Sequence, residues 1–364
     1  MLQVFILLTK KMAGQTDSLR KVKFSLKRSL YQVEHDIAEL SQQKPRILYV
    51  CPHLSTGGMP QYLYKCIESL NDQAEIYCLE YNNVSDDYVV QRNRIINLLG
   101  DKYYRIDGDD KSSFLDLLES VCPDVIHFQD FVEFFVEDSI CQKIFSTDRP
   151  WLIFETCHSS NVKPDDKFWA PDKLVMVNQW MVERFKELGI PLDVLEYPVE
   201  NFDKMSQREA QQILGLDPNF KHVINIGLFT QGKNQGELIN YAKEFVGLPV
   251  KFHFIGNQAG NFQDYWGPLM RDLPENCVIW GERNDTDLFY QAADLFVFTS
   301  TWELNPIVIK ESLSWNLPIL MRRLEPYLDQ YDNNPLVHYL SKDNLFYDRE
   351  FNVRKIKELL GFIS

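Results

Sequence analysis

This chain of 364 residues has no apolar run long enough to cross a bilayer as a helix. The stretch 4–8 is too short, and Lys10, Lys11 and the polar residues after it do not read as a signal-peptide cleavage region. There is no Cys-x-x-Cys, and no His/Cys set has zinc spacing. The seven cysteines (51, 66, 78, 122, 141, 157 and 277) are scattered and odd in number. They read as small buried hydrophobes in a reducing, cytoplasmic compartment. Positive charge is not in excess: 38 − 52 gives a net −14. That argues against a general nucleic-acid surface. The loop after the first expected strand lacks Gly-x-Gly-x-x-Gly, which disfavours a nicotinamide enzyme. No Gly-x-Ser-x-Gly elbow is present. There is no low-complexity tract and no short repeat.

What is present is a long alternation. Apolar runs at 46–51, 74–80, 103–106, 124–128, 151–156, 174–177 and 193–196 read as strands. Helical patterns at 60–70, 88–99, 114–121, 139–145 and 179–188 fall between them. Tyr197 and Pro198 break the pattern, and a polar stretch follows. A second alternation then begins, with strands at 222–226, 250–255, 278–280, 293–298 and 318–321, the last of these taken as the final strand. Helices are expected at 235–246, 285–292, 305–315 and, terminally, 351–360. Strands alternating with helices imply a parallel sheet covered on both faces. The expected fold class is therefore α/β, with two Rossmann-like doubly wound domains facing a cleft. The divisions are a helical extension over 1–43, a first domain over 44–200, a second over 201–345 and a terminal helix over 346–364 that packs back on the first. In the extension, Leu19, Val22, Leu26, Leu30, Val33, Ile37 and Leu40 share one helix face. The pattern over 18–41 suits contact with the body or a second copy, or peripheral contact with an anionic membrane through Arg20, Lys21, Lys23, Lys27 and Arg28.

The most informative segment follows the strand at 293–298. Small polar residues lead to Glu303, Asn305, Pro306 and Ile307, and then to a helix that carries Glu311. Free N–H groups at a helix start attract anions, and carboxylates bind hydroxyls. The segment suits a ligand with both. Gly57 and Gly58 follow the first strand, and Gly227 with Lys233 and Asn234 follows the first strand of the second half. The natural ligand position is the cleft between the halves, at the carboxyl ends of the strands.

Together these residues resemble the retaining nucleotide-sugar glycosyltransferases of the GT-B fold, and the pattern looks like glycosyltransferase family 4 over 44–362. The resemblance implies that Glu303 contacts the donor sugar, Glu311 the ribose hydroxyls and Lys233 the diphosphate. Amides near Asn305, Pro306 and Ile307 assist, with the glycine loops approaching the donor. His158, after a mid-domain strand, would sit near the sugar as a third catalytic candidate with Glu303 and Lys233. One departure stands out: the family places an arginine after the glycine at 227, and this chain has Leu228. Arg283 and Lys310 are the candidates for the missing charge. The implied activity is retaining, metal-independent, hexosyltransferase-like transfer from a nucleotide-diphosphate sugar to an unidentified acceptor. No cofactor and no metal site is expected. The rivals are an epimerase or phosphorylase of the same fold and a non-catalytic GT-B subunit or glycan-binding partner. Asp107, Asp109 and Asp110 mimic a metal-binding Asp-x-Asp but are better read as a helix cap. His53 and His127 are read as structural, and Asp130 as a candidate for the acceptor side.

Overall fold

Alternation of buried residues along each strand sets the architecture. In β1 (Arg46–Cys51), Leu48 and Val50 join one apolar cluster while Ile47, Tyr49 and Cys51 join another on the opposite face. Both faces of the sheet are therefore covered, as a parallel sheet requires. The computed structural model describes residues 44–363 apart from 56, 82–88, 108, 132–135, 160–168, 198, 200–203, 329 and 342–347. The expected extension over 1–43 lies outside the described residues.

The first sheet adds β2 (Glu75–Glu80), β3 (Tyr103–Arg105), β4 (Val125–Gln129), β5 (Leu152–Cys157), β6 (Lys173–Met176) and β7 (Leu192–Val194). Its order is β3-β2-β1-β4-β5-β6-β7, with every pair parallel. Helices α1 (Gly58–Leu70), α2 (Val90–Leu99), α3 (Lys111–Val121), α4 (Asp138–Ile144) and α5 (Gln179–Phe185) connect it. The second sheet holds β8 (Lys221–Ile226), β9 (Val250–Ile255), β10 (Cys277–Gly281), β11 (Leu295–Phe298), β12 (Ile319–Met321) and β13 (Val337–Tyr339). Its order is β10-β9-β8-β11-β12-β13, again parallel throughout. Its helices are α6 (Gln207–Leu214), α7 (Gln235–Ala242), α8 (Gln263–Arg271), α9 (Thr286–Ala292), α10 (Ile307–Ser314) and α11 (Arg349–Leu359). Strand order reverses between β1 and β4 in one sheet and between β8 and β11 in the other, so each half has one switch-point crevice.

The structure departs from the sequence pattern in five places. Helix α6 occupies the polar stretch after the break. Its apolar content is low, but Ser206 and Glu209 form a capping box. Helix α8 contains Pro268, which interrupts the helical pattern. Strand β13 follows the strand taken as the last, and three residues are too few for a visible alternation. Helix α10 begins at Ile307 rather than at Asn305, because Pro306 is the N-cap with extended backbone (ψ 114°). Among the described residues the terminal helix α11 packs on the second half rather than back on the first. Val353, Ile356 and Leu360 belong to the second sheet's core with Phe245 and Phe252, and Asn352 donates to Tyr241 Oη at 2.8 Å.

Candidate active site

The two loops at the second switch point are sewn together by backbone and hydroxyl groups. The N–H and Oγ1 of Thr301 both donate to Gly232 O, at 2.8 and 3.1 Å, and Thr299 Oγ1 donates to Lys233 O at 3.1 Å. This stitching brings Lys233 Nζ to 2.5 Å from Glu303 Oε1. The loop's curvature depends on a close backbone approach. A Cβ on Gly256, at the end of β9, would lie 2.0 Å from Gly227 O. Asn234 adopts left-handed backbone (φ 54°) just before the start of α7. Beneath that start, Glu237 accepts from Arg322 Nη2 at 2.5 Å and Asn234 Nδ2 at 2.6 Å, in a buried pair. Burial raises the Glu237 carboxyl, and the Tyr241 hydroxyl and Arg322 oppose that rise.

From the first half, Gly57 has a φ of 129° and lets the chain turn from β1 into α1. The loop before it is held by Glu80, which accepts from Leu54 N at 3.0 Å and pairs with buried Arg92. Gly58 faces α10: a Cβ there would meet Ile307 Cδ1 at 3.7 Å and Tyr197 Cε2 at 3.8 Å. Glu311 lies between the halves, accepting from Gln61 Nε2 at 3.1 Å and from Tyr290 Oη at 2.8 Å. The structure thus gathers Gly57, Gly58, Gly227, Lys233, Asn234, Glu303, Asn305, Pro306, Ile307 and Glu311 around one interface.

His158 also comes to this interface, with both ring nitrogens engaged. Nδ1 lies 2.5 Å from Tyr197 Oη, and Nε2 lies 3.0 Å from Gln129 Oε1. The amide oxygen can only accept, so Nε2 carries the proton and Nδ1 accepts from the tyrosine. Burial pushes the imidazole down to about 3, and nearby His127 pushes the same way. Burial holds the Tyr197 hydroxyl well above the usual tyrosine range, and the charges of Asp130 and Glu303 add to that. Asp130 takes left-handed backbone (φ 49°), and its Oδ1 accepts from the N–H groups of His158 at 2.6 Å and Ser159 at 3.2 Å.

Arg283 is not brought to Lys233. It pairs with Asp285 through Nε at 2.8 Å and Nη2 at 2.6 Å, over the rings of Trp280 and Phe289, at the outer strand β10. Lys310 pairs with Glu196 at 2.6 Å. Neither stands where the charge missing at Leu228 would be. Asp110 caps α3 by accepting from Ser113 N. His127 Nε2 meets Thr156 Oγ1 at 2.8 Å in the core. Among the described residues no cluster of three or more His, Cys, Asp or Glu converges as a metal site, and no helix is long and apolar enough to cross a membrane. Sequence reading missed Tyr197, Gln61 and Asn178. In the sequence pattern Tyr197 marks only the point where the alternation breaks, and Asn178 sits in an ordinary strand-to-helix capping position.

Residues 206–345 match the family model described as Glycosyl transferases group 1. The alpha-galactosylglucosyldiacylglycerol synthase of Streptococcus pneumoniae is 28% identical over 170 residues, 43% of this chain and 45% of that protein. The processive diacylglycerol alpha-glucosyltransferase of Acholeplasma laidlawii is 28% identical over 144 residues, 39% of this chain and 41% of that protein. The chain therefore spans less than half the length of these curated relatives. Among solved structures, Anabaena HepE in complex with UDP-glucose superposes with a TM-score of 0.67 at 14% identity, over 86% of this chain and 89% of that one. The chain has the GT-B fold, and over 206–345 it carries a Glycosyl transferases group 1 domain.

Proposed function

We propose that this protein is a retaining glycosyltransferase that moves a sugar from a nucleotide-diphosphate sugar to an acceptor without a metal ion. The observation that carries the reading is the contact of Lys233 with Glu303 at the second switch point. Breaking the sugar–phosphate bond leaves negative charge on the diphosphate. Lys233 and the N-terminus of α10 answer that charge electrostatically. Glu303 neutralises Lys233 through their direct contact. When the donor binds, the diphosphate takes over the lysine and Glu303 turns to the sugar hydroxyls. Glu311 exchanges its contacts with Gln61 and Tyr290 for ribose hydroxyls. His158, held neutral between Tyr197 and Gln129, lines the sugar side. Retention follows if the acceptor enters on the leaving-group face, with the diphosphate taking its proton. The two curated relatives are named for diacylglycerol glycosylation, so a glycerolipid is the first acceptor to try, at a membrane surface.

The test is release of nucleoside diphosphate from a panel of sugar nucleotides, with and without diacylglycerol vesicles. Glu303→Gln should cut turnover at least about a hundredfold while the unfolding midpoint stays put, a loss comparable to removing one charge-stabilising donor. Lys233→Met should do the same. No release and no thermal shift with any nucleotide would sink the proposal. Leu228, with Arg283 and Lys310 paired elsewhere, favours one alternative, a non-catalytic GT-B subunit. That reading gains if nucleotides bind without turnover.

A further inference from the structure

We propose that Asn178 and Asn305 form a reciprocal clasp that positions Glu303 from both halves of the molecule at once. The inference rests on the donor-site reading of Glu303 given above. Asn178 Nδ2 donates to Leu304 O at 2.5 Å, and Asn305 Nδ2 donates to Val177 O at 2.5 Å. Each asparagine thus reaches the carbonyl of the residue just before the other. Carbonyls only accept, so the orientation of both amides is fixed. Asn178 is 5% exposed and Asn305 6%. Buried bonds of this kind are costly to leave unmade. Asn178 is held further by its Oδ1, which accepts from Met181 N at 2.9 Å and caps α5.

The surroundings give the clasp its consequence. Leu304 and Ile307 pack among Tyr62, Leu174, Met176 and Tyr197, all from the first half. Thr299 and Thr301, by contrast, are bonded to the Gly232–Lys233 loop of the second half. Glu303 is the bridge between these two anchorages. Its carboxylate is placed by the relation of the halves, whereas Lys233, Gly227 and the start of α7 belong to the second half alone. Loosening the clasp therefore shifts the sugar-contacting acid and leaves the Lys233 contact with the diphosphate standing. Asn178 and Asn305 are positioning residues, and their loss registers in turnover rather than in donor affinity.

Two variants test this. Asn178→Ser keeps a side-chain cap for α5 but is too short to reach Leu304 O. Asn305→Ala removes the other bond. Steady-state kinetics would use UDP-glucose, or whichever sugar nucleotide in the panel turns over fastest, with backbone amide exchange measured in parallel. The expected result is a fall in kcat of about tenfold or more in each variant, with donor KM within about twofold. The double variant should be little slower than the worse single one, because both bonds serve one clasp. Exchange should quicken over 302–306 and stay unchanged in β8. A kcat within about twofold of wild type in both single variants overturns the proposal. So does a general rise in exchange across the second half with kcat and KM degraded together, which marks a merely structural role. If the wild-type protein turns over no sugar nucleotide, the donor-site reading fails by itself. The clasp is then judged by exchange over 302–306, and an unchanged rate in both variants overturns it.

Discussion

Lys233 and Glu303 are 70 residues apart in sequence and meet because β8 and β11 are neighbours whose loops leave the same sheet edge. Single residues set how tightly those loops can sit. Gly256 leaves no room for a side chain against Gly227, and its φ of 147° lies where only glycine is at ease. Gly256→Ala should therefore destabilise the second half by about 1–3 kcal/mol and displace the Lys233 loop. Urea unfolding would measure the first effect and nucleotide titration the second, and wild-type values for both would refute the argument. His158 supports a different expectation. Its folded value of about 3 means that it does not charge between pH 5 and 8. A step in kcat near pH 6.5 that vanishes in His158→Gln would contradict this placement.

At the scale of elements, the sequence was most legible where burial on both faces produced unbroken apolar runs. Strands β1, β4, β8, β9 and β11 appear in the pattern nearly at their observed bounds, since a doubly covered strand has no solvent face to blur it. The elements that escaped are governed by local chemistry rather than by periodicity. Helix α6 announces itself only through Ser206 and Glu209, and α8 is masked by Pro268. Ser206→Ala should lower stability by about 1 kcal/mol by removing the cap, readable as a shift in the urea midpoint. An unchanged midpoint would mean that α6 is held by packing alone. The candidate site was legible as a set of positions, because glycines, a lysine and two glutamates stand at strand-to-helix turns. Its connections were not legible. Nothing local tells that Tyr197 will hold His158, or that Asn305 will find Val177 O across 128 residues. Such pairings come from the way the two sheets face each other, which single-sequence periodicity does not encode.

At the scale of the whole molecule, buried histidines couple stability to pH. Trp280 Nε1 donates to His253 Nδ1 at 3.0 Å, so His253 carries its proton on Nε2 and gives it to His222 Nδ1 at 2.9 Å. His222 Nε2 then donates to Asp217 O at 3.0 Å. This chain has a donor and an acceptor at every link only while both rings are neutral. Burial brings His253 and His127 down to about 3 from an ordinary 6.5. Between those values the unfolded chain binds protons that the folded one refuses. Stability is therefore complete above about pH 6.5 and falls as pH drops below it, by up to about 1.4 kcal/mol per unit for each histidine. Urea midpoints should decline between pH 6.5 and 5.5, above the carboxylate range, and a flat profile there would refute the assignment. On the function proposed above, the Lys233–Glu303 ion pair also bears on the order of events in turnover. Under that proposal an intact sugar nucleotide would offer phosphate to Lys233 and hydroxyls to Glu303, replacing both halves of the bond it breaks. The spent nucleotide offers phosphate alone and strands Glu303 beside a like charge. The pair would thus compete with the product but not with the substrate, and the proposal expects departure of the product to be driven by re-formation of the Lys233–Glu303 contact. In Glu303→Gln that competitor is gone, and the nucleoside diphosphate should be held more tightly than by the wild type; equal or weaker retention in a direct titration would disprove it.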